Sequence, residues 1–318
     1  MSGALIFDSK RCLITGSTGY IGSALVQDLR ARRAVVRTME GEKTSDDITV
    51  NSNVGRIFNE GPYDFVFHLA AKTNLPFSWQ HPAEYFKVNV VATHNILEAL
   101  RTCKNDQYVS LVYTSSSSVY GVSSSHRIQE YERLKPVSPY GVSKACAETL
   151  CVGYHDAFGL QIKIARPFYV TGYGCKRGVV FEVANAIAIA ERQPAEKIHE
   201  IAIADPEVTL DVIDIRDCVS ALETIAIYGR GGEAYNVSTG EEHSVGEIVE
   251  VLLSKTTAKI RVRHARNKRP SDTPRLVGDN SRLRRLGWKN KFSFEQTIGE
   301  VLRYCRSTVG QNQRGTLK

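Results

Sequence analysis

Tyr140 and Lys144 stand four residues apart in the segment SPYGVSK (138–144). On a helix this spacing puts both side chains on one face. An ammonium beside a phenol favours the phenolate and lowers its pKa from the ordinary value of about 10. Such a tyrosine can pass a proton to or from a hydroxyl or carbonyl oxygen. Upstream, the apolar run Ser110–Ser115 leads into SSSSVYG (115–121), so a serine at a strand end can hydrogen-bond the same oxygen. A tyrosine and lysine so spaced are common by chance, and a third motif gives them weight. Gly16, Gly19 and Gly22 frame GSTGYIG directly after a short apolar run. A tight glycine turn opening a helix, with Tyr20 and Ile21 in its first turn, presents backbone N–H groups to a pyrophosphate. The spacing differs by one residue from the usual dinucleotide fingerprint, yet the physical offer is the same. The combination points to hydride exchange with a nicotinamide coupled to proton transfer at Tyr140.

These side chains need a scaffold, and the first half of the chain alternates strand-like with helix-like segments. Arg11–Thr15, Ala34–Thr38, Asp64–Leu69, Ser110–Ser115 and Ile162–Arg166 read as buried strands. Tyr20–Ala31 has helical spacing of Ile21, Ala24, Leu25 and Leu29. Pro82 opens a helix predicted through Leu100, and Pro139 one to about Phe158. Alternation of this kind implies right-handed crossovers and an α/β, doubly wound parallel sheet of Rossmann type. Beyond Pro167 the pattern loosens, with helices predicted near Val179–Arg192 and Val245–Leu253. The expected division is therefore a dinucleotide-binding domain over residues 1–167 and mainly a substrate lobe over 168–318. Apolar pieces at Val212–Ile215 and Tyr235–Val237 are candidates to return to the main sheet.

Glu40 lies eighteen residues after Gly22, near the position where an acid accepts hydrogen bonds from an adenosine ribose. A carboxylate there repels a 2′-phosphate, so NAD is expected, with NADP as the rival through Arg37. Asp47-Ile48 is read as the end of a third strand reaching the adenine, with a surface acid as the alternative.

Composition narrows the class. The chain has 318 residues, 41 Lys plus Arg against 34 Asp plus Glu, and a net charge of +7. Between Lys259 and Lys291 stand twelve basic residues and two acids, Asp272 and Asp279. One local basic stretch fits a phosphate-bearing ligand, with a solvated face or a nucleic-acid surface as rivals. The stretch is not interleaved with aromatic residues as RNA-binding motifs are, so no nucleic-acid partner is expected. No apolar run approaches the ~18 residues of a membrane span, and the N-terminus is unlike a signal peptide. Seven cysteines at irregular spacings, without a C-x-x-C pair, read as free thiols in a reducing cytoplasm. No metal site is expected.

At the level of whole motifs the chain resembles the extended short-chain dehydrogenase/reductases, whose members mostly act on nucleotide sugars. The resemblance runs over about residues 10–306. It rests on GSTGYIG (16–22), HLAAKTNLPFSW (68–79), FKVNVVATHNILEAL (86–100), SSSSVYG (115–121), SPYGVSK (138–144), ARPFYVTGYG (165–174), LDVIDIRD (210–217), YNVSTGEEHSV (235–245) and RPSDTPRLVGDNSRLRRLGW (269–288). It implies that Ser116, Tyr140 and Lys144 are the catalytic set, with Tyr140 and Lys144 also touching the coenzyme. It implies further that Leu69, Ala70 and Ala71 line the coenzyme and that Asn89 lies on the helix beneath it. A homodimer through the 82–101 and 138–158 helices is expected by the same analogy. Within the family, the C-terminal motif, VTGYG and the short region before residue 60 look most like GDP-4-keto-6-deoxy-D-mannose reductases.

The chain departs from the pattern in informative places. The related 4,6-dehydratases carry an acid–base carboxylate after the catalytic Ser/Thr, usually followed by another; here the two positions are Ser117 and Ser118. Neutral hydroxyls are poor at taking a C5 proton, so dehydration is disfavoured. Tyr169 replaces a family asparagine and Leu210 a family arginine at the nucleotide phosphates. Arg269 is the expected replacement donor, aided by neighbours such as Arg263 or Lys268, and Ser116, Ser117 and Tyr169 complete the expected substrate contacts. The expected activity is NAD(P)H-dependent reduction of the C4 keto group of a nucleotide-linked deoxyhexose. The alternatives are a 4-epimerase with bound NAD and a non-catalytic dinucleotide- or RNA-binding protein.

Overall fold

The computed structural model describes residues 6–39, 45–103, 109–203, 205–264 and 274–312. Strand β1 (Arg11–Thr15) enters helix α1 (Tyr20–Ala31), followed by β2 (Val35–Met39), α2 (Asn51–Asn59) and β3 (Phe65–His68). Next come α3 (Leu75–Gln80) and α4 (Pro82–Phe86). A π-helical turn over Lys87–Val91 joins α4 to α5 (Ala92–Thr102). The helix expected from Pro82 is therefore present but widened by one π turn in its middle. Strand β4 (Ser110–Thr114), a 3₁₀ turn (Ser117–Val119), α6 (Pro139–Phe158) and β5 (Gln161–Pro167) complete the first half.

The six-stranded parallel sheet has the order β10-β5-β4-β3-β1-β2, where β10 is Ala234–Val237. Its strands are nearly all buried, as a sheet covered on both faces requires. Leu13, Val66, Leu111, Tyr113 and Ile162 pack on α2, α5 and α6. Cys12, Ile14, Phe67, Val112 and Ala165 pack on α1 and α8 (Ile215–Tyr228). The chain leaves β1 for β2 on one side and then crosses to β3 on the other. The carboxyl ends of β1 and β3 thus form the switch point where doubly wound sheets take their ligands.

After β5 come β6 (Tyr169–Thr171), α7 (Val179–Ala190), β7 (His199–Ile203), β8 (Thr209–Leu210) and β9 (Val212–Asp214). Then follow α8, β10, β11 (His243–Ser244), α9 (Val245–Leu253), β12 (Ile260–His264), β13 (Arg275–Leu276), α10 (Ser281–Arg285) and α11 (Phe294–Asn312). A separate core of α7, α9 and α11 includes Val183, Ile187, Ile248, Leu252, Ile298 and Leu302. Tyr235–Val237 does return to the main sheet, inside β10. Val212–Ile215 does not: β9 pairs with β6 in a two-stranded ribbon, and Ile215 begins α8.

Helix ends carry the expected chemistry. The Ser138 hydroxyl accepts from the Gly141 N–H at 3.1 Å, Pro139 opens α6, and Gly159 ends it in the left-handed region at φ 69°. Ser244 and Glu247 form a reciprocal capping box at the start of α9. Among the described residues, no helix is long and apolar enough to cross a membrane.

Candidate active site

The glycine loop joins β1 to α1 at the switch point. Gly16 has φ +71°, and a Cβ there would lie 2.6 Å from the Ala70 nitrogen; one on Gly22 would lie 2.1 Å from the Gly16 carbonyl oxygen. Glycine is therefore required for so close a turn. Gly19 caps α1 without a side-chain hydrogen bond to the first turn, so no side chain competes for the leading amides. This cradle fits the pyrophosphate of a dinucleotide. Tyr20 and Ile21 open α1, and the Tyr20 hydroxyl reaches the Tyr173 carbonyl oxygen at 3.4 Å.

Leu69, Ala70 and Ala71 follow β3 and form the opposite lip; the Ala70 N–H donates to Thr15 Oγ1 at 3.1 Å. Buried Asn89 sits in the π turn. Its Oδ1 accepts from the Lys72 N–H at 2.8 Å, and its Nδ2 donates to the Lys72 carbonyl at 3.1 Å and to Ser143 Oγ at 2.9 Å. The Ser143 hydroxyl in turn donates to the Tyr140 carbonyl oxygen at 2.7 Å. Asn89 is thus a clamp between the lip and α6.

The three residues of the expected catalytic set come together. Ser116 sits just past β4 and caps the 3₁₀ turn, its hydroxyl accepting from the Ser118 N–H at 3.1 Å. Its hydroxyl also favours the phenolate of Tyr140. Tyr140 lies in the first turn of α6, nearly buried, with its ring edge-on to Tyr85 at 6.3 Å. Lys144 follows one turn later, its ammonium 4.7 Å from the Tyr113 ring centre.

The electrostatics correct one expectation. Burial raises the Tyr140 pKa, and the Ser116 hydroxyl opposes that shift. Lys144 is itself desolvated, and burial pushes its pKa down to about 7. At Tyr140 burial outweighs the stabilisation of phenolate that the i, i+4 spacing suggested.

Other expectations fare unevenly. Asp47 and Ile48 lie in a turn, not at a strand end. The Asp47 carboxylate accepts from the Thr49 N–H at 2.8 Å, while Ile48 is buried and its carbonyl accepts from Asn95 at 3.0 Å. Capping of a local turn, with no strand partner, explains the difference. Glu40 and Arg269 lie outside the described residues, as does Lys268. Arg37 is held by Glu60 at 2.8 Å and Asp46 at 3.0 Å. Arg263 is held by Glu200 at 2.6 Å. Ser117 is buried in the 3₁₀ turn. Tyr169 packs into the α7–α9–α11 core, with its hydroxyl 3.4 Å from the Val180 N–H at the start of α7. Leu210 pairs with His243 and Leu276.

Sequence reasoning passed over two buried polar groups that shape this region. Asp211, between β8 and β9, accepts from Thr239 N–H at 2.7 Å, Thr239 Oγ1 at 2.8 Å, Gly240 N–H at 2.9 Å and Gly278 N–H at 3.2 Å. It ties the β8–β9 junction to the segments that follow β10 and β13. Arg166, late in β5, forms a buried ion pair with Glu148 of α6 and donates to Tyr120 Oη at 2.7 Å. An arginine in a strand that alternates apolar and basic residues, QIKIARP, was the available signal for that pair.

The family described as GDP-mannose 4,6 dehydratase matches residues 13–301. The chain belongs to that family. A GDP-6-deoxy-D-mannose reductase of Pseudomonas aeruginosa is 29% identical over 305 residues, covering 95% of this chain and 99% of the relative. A UDP-glucose 4-epimerase of Azospirillum brasilense is also 29% identical, over 339 residues, covering 95% of each. The structure of RMD from Pseudomonas aeruginosa complexed with NADPH superposes with a TM-score of 0.83 at 28% identity, over 94% of this chain and 98% of that one. This GDP-mannose 4,6-dehydratase family member is therefore an NAD(P)-dependent enzyme of the extended short-chain dehydrogenase/reductase type.

Proposed function

We propose that this family member reduces the C4 keto group of a nucleotide-linked 4-keto-6-deoxyhexose, with GDP as the nucleotide. The observation that carries this reading is the near end-to-end match to a GDP-6-deoxy-D-mannose reductase, joined to Ser116, Tyr140 and Lys144 at one strand end. The coenzyme supplies the hydride when bound. Tyr140 gives a proton to the C4 oxygen as that oxygen gains charge, Ser116 hydrogen-bonds it, and Lys144 adds positive charge nearby while ionised. The product is the C4 alcohol, and the proton on Tyr140 is restored from solvent. Ser117 and Ser118 in place of carboxylates argue against dehydration despite the family description.

The opposing reading, a 4-epimerase, draws on the equally identical Azospirillum brasilense relative. Net coenzyme turnover separates the two. A reductase oxidises one NAD(P)H per GDP-4-keto-6-deoxymannose consumed; an epimerase interconverts UDP-glucose and UDP-galactose with no net change in absorbance at the nicotinamide band. We also propose a homodimer through α4–α5 and α6, which leave Phe86, Val91 and Phe158 exposed. A monomeric mass in light scattering overturns that part.

A further inference from the structure

The switch point contains a hydrogen-bonded chain whose direction can be read bond by bond. The Ala70 N–H donates to Thr15 Oγ1 at 3.1 Å. Thr15 Oγ1 lies 2.7 Å from His68 Nδ1, and His68 Nε2 lies 2.9 Å from Thr93 Oγ1. Thr93 Oγ1 donates to the Asn89 carbonyl oxygen at 2.7 Å. A hydroxyl has a single proton to give. Thr93 has spent its proton on Asn89, so it accepts from His68, and Nε2 carries the hydrogen. Nδ1 then accepts, and the proton of Thr15 points to it while Thr15 accepts from Ala70. Every donor and acceptor in the chain is matched in only this sense. An imidazolium would break it, because Nδ1–H would make Thr15 Oγ1 an acceptor twice over and leave the Thr15 proton without the acceptor that Nδ1 provides. Thr15, His68 and Thr93 are all buried. Burial and the Lys144 charge hold the imidazole pKa down at about 3, which keeps the ring neutral.

The two ends of this chain are the parts that must be held in register. Thr15 ends β1 and His68 ends β3, the two strands flanking the switch point. Ala70 is the backbone against which Gly16 closes. Asn89 clamps Lys72 and, through Ser143, the Tyr140 turn. We propose that His68, as the neutral Nε2–H tautomer, is a positioning residue that sets the Leu69–Lys72 lip against the glycine loop and so governs coenzyme affinity, without itself entering the proton transfer. This rests on the reading of the loop as a coenzyme cradle.

Two measurements test it. In the wild-type protein, ¹⁵N-histidine spectra at pH 7 should show His68 protonated on Nε2 and bare on Nδ1; a protonated Nδ1 overturns the proposal. His68→Asn keeps an acceptor near the Nδ1 position and Thr15→Val removes the hydroxyl with little change of volume. Coenzyme titration by fluorescence should show Thr15→Val and His68→Leu weakened by at least about 10-fold, the scale set by orphaning a buried polar group. His68→Asn should recover part of that loss. The pH midpoint of turnover at saturating coenzyme should match that of wild type. Variants that are folded and bind coenzyme as wild type does overturn the role of His68 and leave the functional reading intact. A wild-type protein that binds neither NADH nor NADPH overturns both.

Discussion

The ammonium of Lys144 donates to the carbonyl oxygen of Thr114 at 2.5 Å. That bond fastens α6 to the last residue of β4, two residues before Ser116. It ties the helix that carries Tyr140 to the strand end that leads into Ser116, so Lys144 works as a structural tie as well as a charge.

Tyr140→Phe should lose at least ~100-fold in turnover, the lower end for removal of a general acid, with coenzyme affinity close to wild type. Lys144→Ala should lose turnover and also bind coenzyme more weakly, because it releases the β4 end. Steady-state kinetics and coenzyme titration check both. A fully active Tyr140→Phe protein rules out the proposed proton transfer.

The Arg166–Glu148 pair should be costly to halve and cheap to remove. Either Arg166→Met or Glu148→Leu alone leaves a buried charge unpaired, an effect of ~3–5 kcal/mol. The double variant should be more stable than either single one. Urea unfolding of the three proteins is the measurement, and additive losses would contradict the pairing argument.

Lys163 is buried with its ammonium on Ser110 Oγ at 2.5 Å and the Ala226 carbonyl at 3.3 Å, and burial lowers its pKa to about 8. The unfolded value is the ordinary 10.5. Between these values the unfolded chain binds more protons, so stability rises with pH. The burial penalty is complete below pH 8 and gone above 10.5. Lys163→Met should therefore gain on wild type below pH 8, and the difference should shrink from pH 8 to 10. Parallel unfolding curves at pH 7.5 and 10 test this, and a pH-independent difference would overturn it.

Asp211→Asn should loosen the segments that follow β10 and β13. An amide has one acceptor oxygen where the carboxylate has two, so donors among Thr239, Gly240 and Gly278 lose their partner. Each orphaned donor costs about 1–3 kcal/mol. Hydrogen exchange should speed up at the Gly240 and Gly278 amides, while the β1 amides remain protected.

Coenzyme choice is tested at residues 37 and 40. The Arg37 guanidinium is already engaged by Glu60 and Asp46, so Arg37→Ala should alter NADPH affinity little. Glu40→Ala should narrow a preference for NADH. A collapse of NADPH binding in Arg37→Ala would instead assign the 2′-phosphate to that arginine.

The motifs around Gly16, Ser116, Tyr140 and Lys144 were legible because each is local: a glycine turn or an i, i+4 pair specifies geometry within a few residues. The strands of the main sheet were legible for a similar reason, since strands buried on both faces read as apolar runs bounded by turn residues. Strand partners were not. Val212 and Tyr235 head similar apolar pieces, yet one joins a two-stranded ribbon and the other the edge of the main sheet, because pairing depends on which edge the crossover brings into reach. The same limit applies to charge. Tyr140 and Lys144 adjoin in the sequence as acid and ammonium, but burial, a property of everything packed around them, decides where each titrates. Likewise Thr15, His68 and Thr93 lie far apart in the chain, and only the folding of β1, β3 and α5 around the switch point turns three scattered polar residues into one directed chain.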